Sequence, residues 1–219
     1  MDDTPKREAL SALLRDVSAG CFPAADGGVT VVPQPMARDA GVIGFTAHAV
    51  IFIDADPAWV LAQLPADDLA GPLSLAFLQA LCEHTNRRAH GIDMLCVASP
   101  LPGPPGIALA PDPGLAHPRT ARALHYRDDV RAWRAEGGVV TVGRGVASRW
   151  EASVEVDPDY RGAGLGRALA AAVRHLVPDG SPLWAQIAPA NAASVRAFLA
   201  AGFRPVGAEA HLAFSTFGA

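Results

Sequence analysis

Apolar and polar positions recur along this chain with two periods, and each switch between them marks an element. Apolar residues at three- and four-residue spacing from Arg7 to Val17 predict a helix, followed by a Gly/Ala/Asp-rich loop to residue 28. Val29 to Val32 reads as a short strand and Gly41 to Ile53 as a longer one. Asp54 or Asp56 is placed to cap a helix over Pro57 to Leu64, with proline in its first turn. Leu73, Ala76, Phe77, Ala80 and Leu81 share one helical face, so Leu73 to Arg87 reads as amphipathic, and Ile92 to Ala98 as a buried strand. Proline and glycine then crowd Pro100 to Pro118, a loop or linker. Beyond it, Val130 to Ala135 and Val139 to Val146 flank Glu136-Gly137-Gly138, which predicts a hairpin, and Glu151 to Val156 continues the meander. A helix follows residue 166, then a strand at Leu183 to Ile187. The next helix carries Val195, Phe198 and Leu199 on one face and stops at Gly202, and a last strand begins near Pro205 or Val206. The sum is an α/β (α+β) chain with a mixed sheet.

The densest chemistry lies in Val154-Glu155-Val156-Asp157-Pro158-Asp159-Tyr160-Arg161-Gly162-Ala163-Gly164-Leu165-Gly166. A strand, a turn at Asp157-Pro158, a glycine-rich loop and a helix follow one another here. Glycines let backbone approach an anion closely, and a helix N-terminus presents unpaired N–H groups and a positive dipole end. Gly162, Gly164 and Gly166 alternate as G-x-G-x-G, which departs from the dinucleotide fingerprint, and no second half of such a fold follows. The plain alternative is a strand–helix connection that holds no ligand.

This run resembles the cofactor loop of the GCN5-related N-acetyltransferases, whose pattern is Arg or Gln, two residues, Gly, one residue, Gly or Ala. Arg161, Gly164 and Gly166 fill it. A second resemblance lies downstream, where Asn191, three turns of helix and Gly202-Phe203 match the same family. Together the two motifs span about residues 130 to 212. The resemblance implies a mixed, mostly antiparallel central sheet flanked by helices within residues 101–219. Residues 1–100 are then an N-terminal α/β extension that either supplies early elements or forms a separate part shaping the acceptor pocket. It further implies acetyl-CoA (coenzyme A) as the cofactor. Backbone groups of Val154 and Val156 would meet the pantetheine arm, the amides of Arg161, Gly162, Ala163, Gly164, Leu165 and Gly166 the pyrophosphate, and Asn191 the arm or only its own helix. Arg161 either adds a cation beside the phosphates or is a solvated surface side chain. One departure stands out: the family often has a tyrosine where this chain has Phe198, so no acid carries over from that position.

An amine acceptor is protonated at neutral pH and must lose a proton before it attacks, which calls for a base such as a carboxylate. Glu151 and Glu155 are four apart on the strand leading to the loop and share one sheet face, while Val154 and Val156 point to the other. Glu151 is the favoured candidate, with a structural glutamate as its alternative; a bulge would undo the parity. Tyr126, in His125-Tyr126-Arg127-Asp128-Asp129, is a candidate acid, and a charged surface turn is the other reading of that segment. His48 reads as a core histidine. No metal site is expected from the spacing of the histidines and of Cys21, Cys82 and Cys96, which read as reduced thiols.

Composition changes the picture little. Half of the 219 residues are hydrophobic and 18 % charged, which describes a globular chain, and the net charge of −4 without a Lys/Arg block argues against nucleic acid or an anionic membrane as partner. The charged N-terminus and the absence of a long apolar run give a cytoplasmic expectation. The expected activity is acetyl transfer to a small-molecule or peptide amine. Its rival is a non-catalytic acyl-CoA-binding sensor, and His211 to Phe217 reads either as an internal strand or as part of the edge of a homodimer.

Overall fold

A computed structural model describes residues 4–66, 68–114 and 116–214, with side chains from residue 8. The chain forms two compact units, one from residues 1–94 with 206–219 and the other from residues 95–205. In chain order the elements are α1 (Thr4–Ser18), β1 (Val29–Val32), β2 (Ala40–Phe45), β3 (His48–Phe52), α2 (Pro57–Ala62), α3 (Leu75–Thr85), β4 (Arg87–Ala89), β5 (Asp93–Ala98), β6 (Ala110–Pro111), α4 (Pro118–Tyr126), β7 (Asp128–Ala135), β8 (Gly138–Arg144), β9 (Trp150–Val156), α5 (Leu165–Ala172), β10 (Leu183–Ile187), α6 (Ala192–Ala200) and β11 (Arg204–Phe214). The pairs β1–β3 and β9–β10 are parallel; β2–β3, β2–β11, β4–β11, β6–β7, β7–β8 and β8–β9 are antiparallel. The expectation of a mixed, mostly antiparallel sheet with flanking helices is met.

In the first unit the strands run β1-β3-β2-β11, with β4 also along β11. Asp56 accepts the Ala58 amide at 3.1 Å and starts α2, with Pro57 in its first turn. Ser74 likewise caps α3 through the Phe77 amide at 3.3 Å. Phe77, Leu78 and Leu81 of α3 pack with Val42, Ile51, Ile53, Val60, Ala210 and Leu212 into one core. The single run read at Gly41 to Ile53 is folded as two strands. The chain turns between Phe45 and His48, where Ala47 holds φ +49°, and no Gly, Asn or Asp marks that turn in the sequence. The side chain of His48, read as a core histidine, is 11 % exposed, and both its ring nitrogens have partners, Asp26 at 2.8 Å and Thr30 at 2.9 Å.

In the second unit the order is β5-β10-β9-β8-β7-β6. β8 is buried almost throughout, which is why Gly138-Val139-Val140-Thr141-Val142-Gly143 carries no charge until Arg144. The predicted hairpin joins β7 to β8 with Gly137 at φ +75°, packed so closely on the Tyr160 ring that a side chain there would collide with it. α4 is not marked in the sequence, where its start reads as the end of the proline-rich loop and its end as a charged turn. Pro118 opens the helix, and His117 caps it by accepting the Arg119 amide on Nδ1 at 3.0 Å. Histidine is an unusual cap, so the start signal was absent.

Candidate functional site

β9 is paired unequally on its two edges. Along β8 its register is unbroken from Trp150↔Arg144 to Val156↔Gly138. Along β10 only Trp150↔Leu183 and Glu151↔Trp184 pair, although β9 runs on to Val156 and β10 to Ile187. Beyond Ala152 the strand therefore keeps one free edge among the described residues. Asp157 donates its amide to Gly137 across the hairpin at 2.9 Å. Backbone groups of an antiparallel strand alternate in direction, so Glu155 and Ser153 face β8, while Val154 and Val156 turn their N–H and C=O to the open edge. The Val156 carbonyl accepts from Arg161 Nε at 3.2 Å on that side.

The open edge leads into the glycine loop. A one-turn helix at Pro158–Tyr160 follows Asp157, and the chain then passes through Gly162 (φ +83°) and Gly164 (φ +86°) into α5. A Cβ on either glycine would meet nothing within 4 Å among the described residues, so these glycines serve the backbone conformation. Gly164 is the N-cap of α5 and has no side chain to satisfy the first turn. The first bonds inside the turn reach back to the Gly164 carbonyl from Arg167 and Ala168, at 3.1 and 3.2 Å. Among the described residues no protein group accepts from the amides of Gly162, Ala163, Gly164 or Leu165. A row of unsatisfied donors at a helix N-terminus suits an anion. The exposed Arg161 and Arg167 flank it. Gly166 faces the other way, where its Cβ would lie 3.6 Å from Val156 and 3.8 Å from Ala197.

On the face of β9 that looks toward α4 lie Glu151, Ser153 and Glu155, in the predicted parity. Glu151 is 3 % exposed. Its Oε1 accepts from Arg149 Nε at 2.9 Å, Val146 N at 3.2 Å and Gln186 Nε2 at 3.2 Å, and its Oε2 from Arg127 Nε at 2.9 Å. Gly145 lies so close to this carboxylate that any side chain there would overlap it. Burial alone would raise the Glu151 carboxyl, but the Arg149 and Arg127 guanidiniums outweigh it and hold the group below the usual carboxylate range. A carboxylate kept ionised and filled with donors in this way is a poor proton acceptor in this arrangement. Glu155 differs: its Oε2 takes Arg119 Nε at 2.9 Å, both side chains are about one third exposed, and its Oε1 has no partner among the described residues. Tyr126 ends α4, edge-on to His125 with ring centroids 4.6 Å apart and Arg122 above its ring. Sequence reasoning passed over Arg127 and Ser153. Arg127 Nη1 donates to Ser153 Oγ at 2.7 Å, which ties the C-terminus of α4 to the open part of β9.

Asn191 caps α6, its Oδ1 accepting the Ser194 amide at 3.1 Å, and its side-chain NH2 has no partner among the described residues. At the other end of α6, Gly202 at φ +86° donates to the Leu199 carbonyl at 3.0 Å and Phe203 to the Phe198 carbonyl at 3.1 Å, the two bonds of a Schellman motif. Phe198 and Phe203 supply its apolar contact, with ring centroids 4.9 Å apart. Phe198 is thus a buried packing residue. The missing Cβ of Gly202 also makes room for Arg174, whose Nη1 donates to the Ala201 carbonyl at 2.7 Å.

No group of three His, Cys, Asp or Glu side chains among the described residues is set to hold a metal ion, and no described helix is long and apolar enough to cross a membrane. Among curated proteins none matches the chain. Among solved structures, it is similar to a GCN5-related N-acetyltransferase from Kribbella flavida (TM-score 0.41, 16 % identity), covering 64 % of each chain. An acetyltransferase of the GNAT family from Novosphingobium aromaticivorans (TM-score 0.39, 20 % identity) aligns over 59 % of this chain and 68 % of its own. A tandem GNAT protein from the clavulanic acid biosynthesis pathway (TM-score 0.39, 15 % identity) aligns over 78 % and 63 %. The chain thus spans a little under two thirds of the first of these, and at such TM-scores the likenesses add no weight. The weight lies with a match to the family model of the acetyltransferase (GNAT) family over residues 121–203, which takes in the later part of α4, the open strand β9, the glycine loop and α6. Over those residues, a little under two fifths of the chain, the sequence is similar to the acetyltransferase (GNAT) family.

Proposed function

We propose that this protein is an acetyl-CoA-dependent N-acetyltransferase acting on a small-molecule or peptide amine. The observation that carries the reading is the end of β9–β10 pairing at Glu151, which frees an edge that leads directly into a turn of unsatisfied amides. An amide-containing chain can add to a free strand edge as a further strand would. Val154 and Val156 offer their backbone groups there for the pantetheine arm, and the amides of 162–166 suit the pyrophosphate. The residues present therefore fit coenzyme A. Asn191 caps its helix and still has an NH2 to offer the arm. Arg161 contributes a cation to the loop and restrains it through the Val156 carbonyl.

The bound thioester supplies an activated acetyl group. The chain's own residues orient it and move the acceptor's proton. With both Glu151 oxygens occupied, Glu155 is the better placed base, because its Oε1 is open on the same strand face. Phe198 can supply no proton. A thiol with a pKa near about 8.5 leaves tolerably as thiolate, so direct transfer does not require an acid at that position.

Calorimetry with acetyl-CoA, coenzyme A and ATP tests the reading. Micromolar binding of the first two with ATP much weaker is expected, and Gly164→Asp, which sets a carboxylate against the phosphates, is expected to abolish it. Unchanged affinity in that variant would overturn the loop assignment. Thiol release across an amine panel then tests turnover; tight binding with no turnover for any amine would leave a non-catalytic acyl-CoA-binding module.

A further inference from the structure

We propose that Ser153 is a catalytic residue whose hydroxyl donates a hydrogen bond to the departing sulfur of the acyl donor, with Arg127 as the positioning residue behind it. The proposal rests on the acetyl-CoA reading above. Its ground is an asymmetry in the hydrogen bonding of one side chain. Arg127 Nη1 donates to Ser153 Oγ at 2.7 Å, so the serine oxygen is already an acceptor for a cation. The serine's own proton has no acceptor among the described residues. A half-buried hydroxyl held in this way is a donor waiting for a partner, and the adjacent guanidinium polarises its O–H bond.

Position points in the same direction. Ser153 lies two residues beyond the last β9–β10 pair, on the stretch whose edge is open. It stands on the face shared by Glu151 and Glu155. The support beneath it is rigid: Arg127 Nε is fixed by Glu151, which is itself fixed by Arg149, Gln186 and the Val146 amide. Such a chain of buried contacts holds a donor in place before any charge develops, which is the condition for electrostatic stabilisation. The side chain at 198, meanwhile, is a hydrocarbon.

When the acetyl group passes to the amine, a C–N bond forms, the C–S bond breaks and its electron pair goes to sulfur. Ser153 keeps its proton throughout and stabilises the growing negative charge by hydrogen bonding; the thiolate later takes a proton from water, and the amine's proton leaves to the base. The same contact should stabilise the thiolate of bound coenzyme A.

The test titrates that thiol, which needs no knowledge of the acceptor. Coenzyme A bound to the protein is followed by thiolate ultraviolet absorption against pH, in wild type, Ser153→Ala and Ser153→Thr. The bound thiol is expected to be about tenfold more acidic than the free one in wild type, a difference of about 1.4 kcal/mol. Ser153→Ala should lose that gain while binding coenzyme A within about threefold of wild type, and Ser153→Thr, which keeps a hydroxyl, should recover most of it. Thiols that titrate alike in wild type and Ser153→Ala, both with coenzyme A bound, would overturn the role of Ser153 and leave the acetyl-CoA reading standing. Failure of wild type to bind coenzyme A would overturn both. If Ser153→Ala unfolds, Ser153→Thr and Ser153→Cys decide: thiol acidity must be kept by threonine and reduced by the weaker donor cysteine, and equal acidity in the two would count against the proposal.

Discussion

Gly162, Gly164 and Gly166 look equivalent in sequence and are not equivalent in the fold. Gly162 and Gly164 hold φ +83° and +86° with open space above them, while Gly166 lies in the first turn of α5 with ordinary contact distances around its missing Cβ. An L side chain at left-handed φ costs roughly 1–2 kcal/mol, whereas alanine in place of glycine in a helix gains about 0.5–1 kcal/mol when nothing clashes. Gly164→Ala should therefore destabilise by about 1 kcal/mol and Gly166→Ala should stabilise by somewhat less, as read by urea denaturation. Equal effects at the two positions would contradict the loop geometry. Phe198 teaches the same lesson about single positions. Its sequence context matched a family position for tyrosine, yet its neighbours Gly202 and Phe203 show what the side chain does: it closes the helix end.

At the scale of an element, β9 shows what could and could not be read from sequence. Its existence, the shared face of Glu151 and Glu155 and the opposite face of Val154 and Val156 follow from a period of two, and the unbroken register with β8 preserves them. The glycine loop and the helix after it were legible for a similar reason, since local backbone demands leave local signatures. The fate of Glu151 was not legible. It depends on Arg127 from the end of α4, Arg149 from the turn before β9 and Gln186 from β10, and nothing in the spacing of these residues says that they converge. α4 itself was hidden behind prolines and a histidine cap. If Glu151 is the structural hub, Glu151→Ala should leave buried guanidiniums uncompensated and cost about 3–5 kcal/mol. Because its folded pKa is depressed, its contribution is fully present above the unfolded value near about 4.3 and is lost as pH falls further. The stability gap between wild type and Glu151→Ala, measured by thermal unfolding from pH 7 down to pH 3, should narrow below about pH 4. A variant as stable as wild type, but inactive, would restore Glu151 as the base.

For the whole molecule, the informative fact is that the chain does not finish the unit it builds last. After α6, which belongs to the second unit, residues from Val206 onward belong to the first. β11 runs antiparallel to β2 from Ala208↔Gly44 to Leu212↔Ala40, and to β4 from Leu212↔Ala89 to Phe214↔Arg87. Ala210 and Leu212 are fully buried in the core with Val42, Ile51 and Phe77. Gly41 and Gly207 lack side chains where the two strands meet: a Cβ on Gly41 would strike the Ala210 carbonyl, and one on Gly207 the Gly44 carbonyl. The buried Arg87 adds a bond from Nη1 to the Leu212 carbonyl at 3.0 Å, and its guanidinium lies 3.9 Å from the centre of the Phe214 ring. Sequence reading placed a strand here and could not assign its neighbours, because the partners lie more than 160 residues away along the chain for β2. A chain ending at Pro205 would lose ladder bonds on both β2 and β4 and open the core around Leu212. Losing one such leucine typically costs about 2–5 kcal/mol, against a total of about 5–15 kcal/mol by which a domain is stable. The truncated chain is therefore expected to lose the cooperative unfolding of residues 1–94, seen as loss of amide-exchange protection in β2, β3 and α3 relative to the full chain. Undiminished protection in those elements would show that the first unit closes without β11.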